Sequence, residues 1–323
     1  PGHPPGPFPA IRGGINTEMD MNRSSAQSKG KKSLLGSRKG NLRETVMRIV
    51  FLVAACISIL CVALISIYLF ANGIPAIAEI GPVEFLLGTE WRPNADMYGI
   101  FPMIFGSIYV TAGAIIVGVP LGLLAAIYMA KFCPKGLYKV LKPAVDLLAG
   151  IPSIVYGFFG LMVIVPMMQT LFGSNHGKSI LTASILLGIM ILPTIIGVSE
   201  SAIRAVPDSY YEGALALGAS HERSVFFVTV PAAKSGILAG IILGVGRAIG
   251  ETMAVIMIAG NQPRIPGSIL DGVRTLTGNI VTEMGYSTGL HREALIATGV
   301  VLFVFILIIN LLFSVLKRKE AQA

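Results

Sequence analysis

Six stretches, at 49–71, 101–129, 146–168, 179–199, 235–260 and 294–316, are apolar and nearly free of charge. Each is close to the roughly twenty residues that a helix needs to cross a bilayer's hydrocarbon core. A water-soluble fold has no place for so many such stretches, so the chain reads as an all-α, multi-spanning membrane protein with six transmembrane helices. Its 13% charged residues fall well below the roughly 25% of soluble domains. Cys56 and Cys61 lie inside the first stretch and Cys133 follows the second. That placement excludes a disulfide-stapled secreted domain and gives no support to redox chemistry.

The net charge of +8 raises the question of nucleic acid, and its distribution answers it. Nine Lys and Arg precede the first stretch, four lie in 130–145, three in 200–234 and three follow the last stretch. The alternate loops hold five: Arg92, Lys178, Arg264, Arg274 and Arg292. Basic residues stay on the cytoplasmic side of membrane proteins, so the pattern predicts cytoplasmic termini and no nucleic-acid role. Residues 1–42 begin with Pro and Gly and continue polar and basic without periodicity. They read as a disordered basic arm, not a signal peptide, preceding a six-helix transmembrane domain at 43–323. Trp91, the only tryptophan, is expected to be an interfacial anchor in the outer loop.

Two motif fragments carry no chemistry. Gly177-Lys178-Ser179 looks like the tail of a phosphate-binding loop, but Phe172 stands where the motif needs glycine. Gly244, Gly246 and Gly250 are spaced as a packing stripe and not as a dinucleotide fingerprint. His3, His176, His221 and His291 are scattered, so no metal, cofactor or catalytic group is expected.

The fifth stretch holds an ionisable pair, Arg247 and Glu251, after glycines at 236, 240 and 244. On one continuous helix Gly240, Gly244, Arg247 and Glu251 share a face, which predicts that the pair avoids lipid. Two roles stay open: a structural ion pair, or a place on a substrate path. An anionic substrate would suit Arg, whose planar fork offers two parallel donors.

The loop at 200–234 resembles the EAA loop of ATP-binding-cassette (ABC) importer permeases: Tyr211 and Glu212-Gly213-Ala214 lead to Gly218 and then Val230-Pro231. Gly213 departs from the alanine usual there. A narrower resemblance is to the permeases of the phosphate-specific (Pst) importers, through Ala149-Gly150-Ile151-Pro152-Ser153 and Arg247-Ala248-Ile249-Gly250-Glu251-Thr252. Met253-Ala254-Val255 looks like the C-type subunit of that family.

The resemblance implies a type I ABC importer permease fold in a prokaryotic inner membrane, surrounded by lipid. The partners implied are a PstA-like sister permease, two PstB-like ATPase subunits and a PstS-like phosphate-binding protein. It implies a substrate path through Arg247, Glu251, Thr252, Gly150, Pro152 and Ser153, with Tyr211, Glu212, Gly213, Ala214 and Gly218 coupling to the ATPase. Pro152 either kinks its helix or opens the path there. Sulfate or molybdate as cargo, a phosphate-sensing scaffold and a secondary carrier are the competing readings.

Overall fold

The computed structural model describes Gly2 and residues 38–173 and 177–322, with side chains given at Gly2, 43–173 and 177–315. Most of the arm expected at 1–42, together with His3 and His176, lies outside the described residues. The chain divides into two units between Ser66 and Ile67. Over its described residues the first unit is the beginning of helix α1 (Arg38–Ile80). Its side chains from 43 to 65 are all exposed, with Ile59 at 71%. Such an apolar surface suits hydrocarbon.

In the second unit the rest of α1 leads to α2 (Pro82–Leu87) and a short antiparallel ribbon. Its strands β1 (Trp91–Arg92) and β2 (Met97–Tyr98) pair Trp91 with Tyr98. Helix α3 (Phe101–Ile127) continues through a π-helical turn at Tyr128–Phe132. Helix α4 (Lys135–Gly150) is followed by α5 (Ser153–Phe159), which a second π-helical turn joins to α6 (Val165–Phe172). Next come α7 (Ile180–Arg204), α8 (Asp208–Ala216), α9 (His221–Ser224), α10 (Val230–Ala232) and α11 (Lys234–Gly250). Helices α12 (Met253–Ile258), α13 (Leu276–Glu283) and α14 (Gly289–Gln322) complete the described chain.

Among the described residues five helical stretches are long and apolar enough to span a bilayer: Arg43–Ile80, Phe101–Phe132, Ser153–Phe172, Ile180–Arg204 and Gly289–Val315. The sixth is a pair, His221–Ala232 and Lys234–Gly250, bent by 70°. The third span differs from the sequence expectation, starting at Ser153 instead of 146. Pro152 lacks an N–H and drives Ile151 into extended backbone (φ −69°, ψ 126°), which ends α4. Lys135, Lys139, Lys142 and Asp146 recur along α4 at helical spacing, a polar stripe unsuited to lipid.

Helix α7 is the axis of this unit. Its Ile191 and Ile195 are fully buried because glycines approach them from both sides. A Cβ at Gly122 of α3 would lie 2.9 Å from Ile195 Cγ2, and one at Gly244 of α11 would lie 2.8 Å from Ile195 Cγ1. Close backbone approach at small residues supplies the packing that lipid cannot drive by hydrophobicity. The packing role expected of the glycines on α11 is therefore observed at Gly244, and at Gly240, where a Cβ would lie 2.9 Å from Ser199 Oγ, but not at Gly246 and Gly250, where a Cβ would meet nothing within 4 Å. A buried cluster including Phe85, Ile100, Met103 and Leu295 gathers at the ribbon end of α3. Another, including Ile127, Ile203, Val225 and Ile237, gathers at the opposite end.

Candidate functional site: two helix breaks beside Arg247

The fifth stretch is not one helix. Helix α11 stops at Gly250 and α12 starts at Met253, so Glu251 does not share a helical face with Arg247. The physical reason is local: Glu251 Oε1 accepts the backbone N–H groups of Thr252 at 3.1 Å and Ala254 at 3.3 Å. These are first-turn N–H groups that have no acceptor within α12. Among the described residues no ion pair joins Glu251 to Arg247. Arg247, half-buried, points Nη1 to Thr194 Oγ1 on α7 at 3.5 Å.

The breaks in the third and fifth stretches share one backbone form. Ile151 (φ −69°, ψ 126°) returns its N–H to Leu148 O, and Glu251 (φ −71°, ψ 127°) returns its N–H to Ala248 O, both at 3.4 Å. Their following helices, α5 and α12, pack together: a Cβ at Gly157 would lie 2.9 Å from Ala254 Cα. Gly150 and Pro152 are exposed, Ser153 is half-buried, and Thr252 Oγ1 donates to Gly250 O at 3.1 Å. Thr277, at the start of α13, reaches Glu251 O at 3.4 Å. The structure thus brings the helices after the two expected path segments together, and it adds Thr194 and Thr277. Neither threonine carried a sequence signal beyond its polarity.

The expected coupling segment is helical and ends in a Schellman motif. Gly218 takes φ +85°, its N–H bonds Leu215 O at 2.9 Å, and Ala219 N–H bonds Ala214 O at 3.1 Å. Glu212 and Gly213 are exposed, and a Cβ at Gly213 would meet open space, so the departure from alanine is sterically free. Tyr211 is instead an anchor: its hydroxyl meets His221 Nδ1 at 2.7 Å, and Lys131 Nζ lies 5.7 Å from its ring centroid. Leu217 is 91% exposed.

Two buried polar clusters lay beyond the sequence reading. In one, Glu200 accepts from Tyr138, Lys142 and Arg204. Its hydrogen bond holds the Tyr138 phenol above the usual range, with burial adding to the effect. Only the Glu200 to Arg204 spacing of four was visible in sequence. In the other, Trp91 Nε1 donates to Glu283 Oε2 at 2.8 Å, beside Arg274 and His291. Burial opposes ionisation of Glu283, but donation from Trp91, His291 and Arg274 holds its carboxyl below the ordinary range. Trp91, 5% exposed, is therefore a buried cluster member and not the expected interfacial anchor. Its indole satisfies a carboxylate that burial would otherwise penalise.

Residues 118–322 match the family described as binding-protein-dependent transport system inner membrane component. A probable ABC transporter permease, YqgH of Bacillus subtilis, is 39% identical over 292 residues, covering 87% of this chain and 94% of the relative. The phosphate transport system permease protein PstC of Mesorhizobium japonicum is 33% identical over 306 residues, covering 88% and 93%. Among solved structures, a bacterial alginate ABC transporter aligns with a TM-score of 0.58 at 16% identity, over 85% of this chain and 96% of its own. The MetNI methionine ABC transporter aligns with a TM-score of 0.57 at 19% identity, over 72% and 99%.

Proposed function

The chain belongs to the binding-protein-dependent transport system inner membrane components, and on that premise we propose that it is the C-type permease subunit of an ATP-driven phosphate importer. The observation that carries this reading is Arg247, a half-buried guanidinium at the end of α11. It stands just before the Glu251 break, whose following helix packs on the one after the Ile151 break. The PstC relatives support phosphate as the cargo. Arg247 contacts phosphate in transit through its paired donors, and Thr194 holds it between cargoes. Glu251 and Thr252 maintain the break in the fifth stretch, and Gly150, Pro152 and Ser153 border the path at the other.

The permease works with a sister permease, an ATPase and a soluble binding protein. ATP binding moves α8, the ATPase dock, and the helix breaks open outward; hydrolysis returns them. In the assembled complex, the binding protein charged with phosphate is expected to stimulate ATP hydrolysis, while the same protein offered sulfate or molybdate is not. Equal stimulation by all three oxyanions would replace the phosphate reading with a general oxyanion importer.

The loop charges support a topology with α8 in the cytoplasm and the ribbon outside. Single cysteines at Asp271 and Met97 should label on intact cells with an impermeant reagent, and one at Glu212 should not. Labelling at Glu212 from outside would reverse the topology.

A further inference from the structure

Helix α4 fully buries no side chain; Leu141 and Val145 are half-buried and Tyr156 Oη of α5 donates to Leu148 O at 2.9 Å, yet its last residues form the Gly150 break. A carboxylate on a neighbouring helix supplies its charged attachment. Glu200 of α7 is 2% exposed, a burial that an ionised group tolerates only with paired, hydrogen-bonded partners. Its Oε1 accepts from Tyr138 Oη and Arg204 Nε, each at 2.7 Å, and its Oε2 lies 3.3 Å from Lys142 Nζ.

Tyr138 and Lys142 are one turn apart on α4. Arg204 reaches further, donating Nη2 to Met129 O at 2.7 Å in the π-helical turn after α3, with its guanidinium 4.4 Å from the Tyr138 ring centroid. Lys131 of the same turn pairs with Asp208, the first residue of α8, at 3.6 Å. One buried carboxylate therefore joins α7 to α4, while its partner Arg204 holds the turn that also holds α8. From Lys142 to Gly150 the helix continues for about 12 Å, with Pro143 inside it leaving the Lys139 carbonyl without its helical N–H partner.

We propose that Glu200 is a positioning residue of the transport cycle, one that makes α4, and with it the Gly150–Pro152 break, follow the α8 end of the subunit. The proposal rests on the permease reading above but not on phosphate being the cargo. Without the charge, α4 keeps its fold but loses the attachment that makes it move with α7.

The test uses the complete complex in proteoliposomes and compares wild type with Glu200→Gln and the gentler Tyr138→Phe. Phosphate transported per ATP hydrolysed should fall about tenfold in Glu200→Gln and about threefold in Tyr138→Phe. The amount of assembled complex and its basal hydrolysis should stay near wild type. A cargo-independent measurement accompanies it, the distance between spin labels at Leu147 on α4 and Leu124 on α3, with and without trapped ATP. Wild type should give a narrow distance that shifts on trapping, and Glu200→Gln a broad one that does not. Less assembled complex with an unchanged transport ratio and distance would make Glu200 a stability residue only and overturn the proposal. So would wild-type behaviour in both measurements. If wild type moves no phosphate, the cargo assignment fails, and the label distances still decide on Glu200.

Discussion

Arg247→Gln is expected to leave the permease inserted and assembled while lowering phosphate uptake by about a hundredfold or more, the scale of losing one preorganised anion donor. The geometry makes this single substitution informative. Were Arg247 and Glu251 a buried ion pair, removing one would strand the other at a cost of about 3 to 5 kcal/mol whatever the function. Glu251 is instead satisfied by the N–H groups of Thr252 and Ala254, so losing Arg247 strands no charge. Arg247→Lys should recover uptake only in part, because an ammonium is a point charge without the fork. The double variant with Glu251→Gln should be no better than Arg247→Gln. Uptake near wild type in assembled Arg247→Gln would reduce the guanidinium to a packing detail, and the Thr194 contact to its explanation.

The second large effect is at Gly218. Its φ of +85° closes α8 through the Schellman bonds to Leu215 and Ala214, and a Cβ there would touch nothing within 4 Å. Any penalty from substitution is therefore one of backbone conformation. The left-handed region costs an ordinary L-residue about 1 to 2 kcal/mol, and a β-branched side chain fits it worst. Gly218→Val should unwind the end of α8, tilt exposed Leu217 away from the proposed ATPase dock and lower ATP-driven uptake about tenfold. Asn tolerates positive φ, so Gly218→Asn should retain most activity. Similar uptake in the Val and Asn variants would show that the α8 end does not govern coupling.

Much of this was legible in sequence because lipid imposes a coarse rule. Uncharged runs of spanning length mark the helices, and the missing N–H of Pro152 marked an irregularity in the third stretch, though not that the span would begin only after it. The Gly218 turn was legible too, since glycine follows a helix-forming run. The end of α11 at Gly250 was not. An Arg and a Glu four apart read as one helical face, and only the folded backbone shows Glu251 capping the next helix. The polar clusters failed for another reason. Trp91 and Glu283 are 192 residues apart, and Tyr138 and Glu200 are 62 apart. Local periodicity carries no record of partners so distant in the chain, so Trp91 read as an exposed anchor and Glu200 as a loop residue.

The measurement closest to the central claim is ATP-driven accumulation of labelled phosphate in proteoliposomes holding the complete complex, with labelled sulfate run in parallel. Phosphate should accumulate only with ATP and the binding protein, sulfate should stay at background, and Arg247→Gln should abolish the difference. Phosphate accumulation without ATP, or sulfate carried as well as phosphate, would contradict the assignment.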